Sequence, residues 1–417
     1  MEYQLRDVLI ELTKRCNLNC IHCGSSCDGE APERELDIGE WVLVIDALAR
    51  INVKKIIFSG GEPTLLTGLP RLIRAAYNRG LKYGLITNGF IMSDDLEAHI
   101  AGFPPFGVGV SLDGLHEIHN RIRDNEHSWR CAIKTILRLQ EIKARVCVVT
   151  TLSKMNVEEL PNLANYLWAT GIDCWQLQLA MPAGRMKKQK DMLLDEADFK
   201  KICSNILAFK RRYTSMQIEA ADCFGMAEAG IIRTEAWNGC GAGLSAMAID
   251  ATGRIMPCLS LQGHYCGHIT DGIDVVWENS TGFDFNRNFI PLEIPSGDEN
   301  PNWYLTGKCG RCELLAKCRG GCASQAYFTF GHFHDSPFCY RRSFEQAHAP
   351  RPESEGRLDV LPQAVFKYGL PDDISPSSQE SEMIIKYGLP EDLWPTHHPS
   401  QRRTPVLFKY GLPERRR

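Results

Sequence analysis

The chain has 417 residues, is 44% hydrophobic and carries a formal net charge of −4, which is enough for two or three domains with sizeable cores. The near-balanced charge gives no reason to invoke nucleic acid or an anionic membrane, and no apolar run reaches the length of a membrane span. Residues 1 to 15 lack the apolar stretch and cleavage site of a signal peptide, so the 17 cysteines read as reduced thiols in a cytoplasmic protein rather than as a disulfide framework.

In chain order, the first β-rich run is 7–12 (DVLIEL). Four residues later comes Cys16-Asn-Leu-Asn-Cys20-Ile-His-Cys23, a C-x3-C-x2-C triplet. A helix is predicted from Ile38 to Ile51, where Val42, Leu43, Ile45, Leu48 and Ile51 recur at helical spacing after a polar start. Further strands are predicted at 54–59, 82–87, 107–112, 145–151 and 174–180, with helix-like segments at 66–79, 128–143 and 157–169. Alternating strands and helices argue for an α/β fold, a βα barrel or an open doubly wound sheet. In such folds the chemistry gathers at the C-terminal ends of the strands, where the triplet falls. Gly60-Gly61-Glu62-Pro63 follows the second strand, Thr87-Asn88-Gly89 the third, and Ser111-Leu112-Asp113-Gly114 closes the fourth. Together they describe a binding rim.

Three thiolates hold only three irons of a cubane [4Fe-4S] cluster, which leaves the fourth iron open for chemistry. A second array follows: Cys240-x12-Gly253-x4-Cys258, then Cys309-x2-Cys312-x5-Cys318-x3-Cys322, then Cys339. Zinc is the rival ligand, since Cys309, Cys312, Cys318 and Cys322 could form one tetrahedral site. Cys131, Cys147, Cys174 and Cys203 read as small buried hydrophobes.

These motifs resemble the radical S-adenosylmethionine (SAM) superfamily with a C-terminal SPASM extension, over about residues 5 to 345. The resemblance implies a partial (β/α)6 TIM-like barrel over 1–215, a small cysteine-rich SPASM iron-sulfur domain over 216–345 and a disordered tail over 346–417. It implies SAM and one SAM-binding [4Fe-4S] cluster on Cys16, Cys20 and Cys23. Gly60, Gly61 and Glu62 are then expected to position the SAM amino group, and Ser111 and Arg123 its ribose and carboxylate. Two auxiliary [4Fe-4S] clusters are expected, one on Cys309, Cys312, Cys318 and Cys339, the other on Cys240, Cys258 and Cys322. For the fourth ligand of the latter, Cys223, Cys266, a substrate atom and an open site remain alternatives, because Thr234 stands where several family members carry a cysteine. The implied activity is SAM cleavage to a 5'-deoxyadenosyl radical that abstracts hydrogen from a peptide or protein, classed as oxidoreductase or lyase. An electron donor such as flavodoxin or ferredoxin is the implied partner. A sulfatase-maturating type of enzyme and a cofactor-peptide maturase are the alternatives; for the former, Leu259 follows Cys258 where that branch often has Asp.

From about His348 the composition turns to Pro, Glu, Arg and Ser, the signature of a linker or disordered tail. Within it one phrase recurs, with Lys-Tyr-Gly-Leu-Pro preceded by Phe366, Ile385 and Phe408. Its tyrosines, Tyr368, Tyr387 and Tyr410, stand 19 and 23 residues apart, too sparse for a solenoid. The phrase reads as a docking motif, as a leader-like element needing a separate leader-binding protein or the SPASM region, or as a substrate carried in cis. The last reading rests on its resemblance to the X-Tyr-Gly site of splicease-type enzymes, which excise a tyramine unit.

Overall fold

The computed structural model describes residues 3–27, 34–227, 230, 232, 237–291, 305 and 309–344. The tail repeats and Thr234 lie outside these. Strands β1 (Asp7–Glu11), β2 (Lys55–Ser59), β3 (Lys82–Thr87), β4 (Gly107–Ser111), β5 (Val146–Leu152), β6 (Cys174–Leu179) and β7 (Gln217–Ala220) pair in sequence, all parallel. Six of them coincide with the six predicted runs. The seventh escaped notice because its four residues, Gln-Ile-Glu-Ala, carry a charge that ends up buried as Glu219. β8 (Ala246–Ile249) joins the other edge of β1 in parallel register, and β9 (Arg254–Met256) and β10 (Gly267–His268) continue antiparallel. The segment carrying Cys240 and Cys258 therefore extends the barrel sheet itself.

Helices α1 (Ile38–Arg50), α2 (Leu69–Asn78), α3 (Asp94–Gly102), α4 (His116–Arg123), α5 (Ser128–Glu141), α6 (Leu160–Ala169) and α7 (Glu196–Arg212) lie between the strands. A capping box starts α1: Asp37 Oδ1 accepts the Glu40 N–H at 2.8 Å, and Glu40 Oε2 accepts the Asp37 N–H at 2.9 Å. The buried stripe of α1 is Trp41, Val44, Ile45 and Leu48, at i, i+3, i+4 and i+7. Leu43, counted in the predicted stripe, is 66% exposed, because two positions from Trp41 is some 200° around the helix.

Strand parity divides the sheet. Val8, Ile10, Ile56 and Phe58 pack with Trp41, Ile45 and Leu72 beneath the helices. Leu9 and Ile57 point to the opposite face, against Ala246, Ala248, Met256, Cys240 and Cys258. Each of the fully buried aliphatic and aromatic side chains contributes about 1.5–3 kcal/mol. This core fixes the strand ends on which the rim is built. Cys147, Cys174 and Cys203 are buried as expected, whereas Cys131 is half-buried on α5.

Candidate active site

The loop leaving β1 is clamped from several sides. Glu35, just ahead of α1, accepts the Thr13 hydroxyl at 2.9 Å and the Lys14 N–H at 2.7 Å. After β2, the Gly61 N–H donates to the Thr13 carbonyl at 2.6 Å and the Glu62 N–H to that of Arg15 at 2.8 Å. Only glycine permits this approach: a Cβ on Gly61 would stand 2.2 Å from the Arg15 oxygen, and Gly60, at φ +152, would put one 2.6 Å from that of Thr13. From the segment after β6, Arg185 donates to the Cys20 carbonyl (2.8 Å) and the Cys27 carbonyl (2.9 Å).

Within that clamp the three cysteines share one short loop, and N–H groups are directed at their sulfurs. Asn88 Nδ2 lies 3.9 Å from Cys16 Sγ, and Arg123 Nη1 lies 3.8 Å from Cys20 Sγ. Burial pushes the Cys16 thiol up to about 11 and also raises Cys20, against which the Arg123 charge works. The Cys27 thiol donates to Cys23 and lowers it, while Cys27 itself is raised. Three thiols on one loop, Cys20 buried and Cys16 and Cys23 half-buried, with cationic and amide donors at hand, suit an iron-sulfur cluster, since metal binding deprotonates such groups outright and the donors then stabilise the sulfur charge. The residues present fit the group.

Asp113, just past β4, organises the site; from sequence it was expected only as one member of the binding rim. Its buried Oδ2 accepts Arg123 Nε at 2.7 Å, ion-pairs with Arg123 Nη2 at 2.7 Å and meets His22 Nε2 at 3.0 Å, while Oδ1 accepts the Thr151 N–H at 2.9 Å. Burial opposes its ionisation, but the Arg123 guanidinium and the His22 ring outweigh that and hold the carboxyl well below the usual range. His119 Nδ1 accepts the Asp113 N–H at 3.0 Å; burial and the Arg123 charge push this imidazole down to about 3, so it stays neutral. His22 Nδ1 is buried with no partner among the described residues. The sequence offers only the ten-residue spacing of Asp113 and Arg123, which an intervening helix can close but which does not by itself mark a contact.

Of the other expected residues, Ser111 ends β4 half-buried on the same sheet face as Leu9 and Ile57, by strand register. Glu62 is fully buried. Its Oε1 accepts the Thr64 N–H (3.1 Å), the Thr64 hydroxyl (2.7 Å) and the Thr87 hydroxyl (2.7 Å), and its Oε2 accepts the Asn88 N–H (2.7 Å). The carboxylate thus ties the rims of β2 and β3 together, beyond the ligand contact expected of it. Glu11, the last residue of β1, was not singled out by sequence. It is buried, its Oε2 has no partner among the described residues, and burial raises it to about 7.

The later cysteines fall into two groups. Cys240 is pushed up by burial and then by the nearby Cys322 and Cys258 thiols. Cys309 is raised by burial with contributions from Cys318 and Cys339, and burial together with Cys312 and Cys339 raises Cys318 to about 11. Cys322 thus lies near Cys240. Of the two candidates for a further ligand, Cys223 Sγ accepts the Leu179 N–H at 3.2 Å, while the Ser280 hydroxyl donates to the Cys266 backbone carbonyl at 2.6 Å.

The radical SAM superfamily profile matches residues 10–167. The AdoMet-dependent heme synthase of Methanosarcina barkeri is 26% identical over 351 residues, covering 80% of this chain and 95% of that protein. Mycofactocin maturase MftC of Mycolicibacterium smegmatis is 28% identical over 333 residues, covering 76% and 78%. The crystal structure of Streptococcus suis SuiB bound to S-adenosylmethionine superposes with a TM-score of 0.62 at 17% identity, covering 77% of this chain and 74% of that one. Residues 10–167 thus match a radical SAM domain, a family that implies SAM and a [4Fe-4S] cluster as cofactors. Among the described residues no helix is long and apolar enough to cross a membrane.

Proposed function

We propose that this enzyme is a peptide maturase that acts on the Tyr-Gly sites of its own tail, at Tyr368, Tyr387 and Tyr410. The relatives named above differ in substrate, so the similarity speaks for the radical machinery and leaves the substrate to other features of the chain. The observation that carries the reading is the threefold Lys-Tyr-Gly-Leu-Pro phrase downstream of that machinery. Tethering raises the local substrate concentration to the millimolar range for a short flexible linker.

When bound, the cluster on Cys16, Cys20 and Cys23 with SAM supplies a 5'-deoxyadenosyl radical that removes hydrogen from an unactivated carbon. The chain's own residues hold and shield that chemistry. Arg123, fixed by Asp113, places a guanidinium against Cys20. Gly60 and Gly61 give the ligand close access to backbone, Glu62 keeps that edge rigid, and Ser111 and Arg123 orient ribose and carboxylate. The grouping of Cys240 with Cys258 and Cys322, and of Cys309 with Cys312, Cys318 and Cys339, supports two auxiliary clusters that pass electrons. A small electron-transfer protein such as flavodoxin or ferredoxin serves as reductant. Leu259 after Cys258 weighs against a sulfatase-maturating role.

The test is anaerobic incubation of the reconstituted full chain with SAM and reductant. 5'-Deoxyadenosine is expected together with loss of one tyramine unit per modified site in digests of the tail. SAM turnover beside unchanged tail peptides would remove the in-cis reading.

A further inference from the structure

The described chain ends on the catalytic rim. Its last helix, Tyr340–Phe344, is pinned where the Ser343 hydroxyl donates to Glu196 Oε1 at 2.6 Å. Glu196 opens α7, which starts at the C-terminal edge of the strands after β6. The last described residue, Phe344, therefore stands at the face that carries the cysteine triplet. Between Phe344 and Tyr368 lie 23 residues; a coil of that length has a root-mean-square span of roughly 25–30 Å. Its full reach of about 80 Å exceeds the roughly 50 Å diameter that goes with a radius of gyration near 20 Å, so the first repeat can reach any point on the rim.

One surface there has the chemistry to receive it. Tyr327 and Phe333 stack with centroids 5.1 Å apart, Phe285 stacks on Phe333 at 4.3 Å, and His264 meets Tyr327 edge-on at 4.4 Å. These rings are only partly buried. Phe285, Tyr327, Phe328 and Phe333 pack onto the cluster of Leu9, Ile57, Cys240 and Cys258. On the other side Lys187 Nζ stands 5.0 Å over the Phe328 ring, two residues along from Arg185, which holds the Cys20 and Cys27 carbonyls. The aromatic wall thus runs between the SAM-cluster loop and the Cys258 group.

We propose that this wall, Tyr327, Phe328 and Phe333, seats one Lys-Tyr-Gly-Leu-Pro repeat of the chain's own tail. Of the six aromatic residues in 345–417, five fall in the repeats or directly before them, and Trp394 alone stands apart. A tyrosine ring offered to stacked rings gains about 0.5–1.5 kcal/mol beyond its area. The adjoining Leu-Pro supplies a stiff apolar segment of the kind that aromatic-lined grooves take up. The polar remainder of the tail has no comparable match to this surface. The inference rests on the reading of the tail as substrate, but it concerns binding and needs no turnover.

The experiment uses the full chain, reconstituted and kept without SAM, with p-benzoylphenylalanine in place of Phe328. Irradiation followed by digestion should give cross-links within one chain to peptides containing 366–371, 385–390 or 408–413. The yield should fall roughly five- to tenfold when Tyr368, Tyr387 and Tyr410 are all changed to Ala, as expected for loss of one buried ring contact. Cross-links that map only to Trp394, to other segments or between two chains would overturn the seat. Because the probe could perturb folding, amide exchange over 323–334 is compared in the otherwise native chain and the Y368A/Y387A/Y410A variant. Exchange should quicken in the variant, and identical exchange would overturn the proposal. Tail modification without cross-links removes the seat alone, whereas cross-links beside an unmodified tail remove the substrate reading and leave the seat.

Discussion

The loop bearing Cys16, Cys20 and Cys23 and the array from Cys309 to Cys339 both gather thiols, but they are held by different means. The first is fixed from outside: Glu35, Gly61, Arg185 and Asp113 reach it from segments 20 to 170 residues away in sequence. The second is held largely by its own short turns, with Cys312 N–H donating to the Cys309 carbonyl at 2.9 Å and Cys318 N–H to that of Leu314 at 2.8 Å. A site scaffolded by a barrel is preorganised before its cofactor arrives. One built of short turns relies on its metal for much of its order.

Several substitutions would break or sharpen this contrast. The largest effect is expected for Cys16→Ala, which should reduce 5'-deoxyadenosine formation to background. Cys312→Ala should retain SAM cleavage and lose product formation instead; chromatography of nucleosides and peptides from one reaction separates the two. If Cys312→Ala also abolished 5'-deoxyadenosine, the two regions would not be functionally separable.

Asp113→Asn comes next. It leaves the Arg123 charge buried without its partner, a loss of about 3–5 kcal/mol, measured by denaturant unfolding of the metal-free chain. Adding Arg123→Met should restore part of that stability, and a double variant no better than the single would show that the ion pair is not the cause.

Glu11→Gln carries a pH signature. Burial raises Glu11 from 4.5 to about 7, so the folded state holds the proton more tightly than the unfolded one. Its contribution is fully present below pH 4.5 and is lost as pH rises through about 7, a cost of about 3 kcal/mol above that. The variant should match the native chain near pH 4.5 and exceed it in stability at pH 8. A pH-independent difference would mean that Glu11 is not the titrating group.

The smallest effect is expected for Glu35→Ala, which leaves the Lys14 N–H and Thr13 hydroxyl unmatched at about 1–2 kcal/mol. It should broaden the electron paramagnetic resonance signal of the reduced SAM cluster more than it shifts the unfolding midpoint.

Much of this molecule was readable without coordinates. Six strands announced themselves because buried parallel strands form short apolar runs, rich in Val and Ile in β1, β2 and β5. The glycines after β2 were legible because a residue without a Cβ marks close backbone approach, and Gly61 against the Arg15 carbonyl is such a contact. The hub at Asp113 was not legible, since a carboxylate in a Leu-Asp-Gly turn looks the same whether it faces water or a buried arginine. Nor was the seating of β8 beside β1, a pairing across more than 230 residues that leaves no periodicity in either segment.

The sequence by itself determined what is local: the spacing that lets three thiols share one loop, the order of strands and helices, and the tail phrase repeated three times. Tertiary structure decided what depends on distance. It set Arg123 between Asp113 and Cys20, brought Cys322 near Cys240, and set the last described helix at the catalytic rim. Short-range geometry follows from covalent connection, whereas these placements follow from burial of the sheet's two faces, which no single segment encodes.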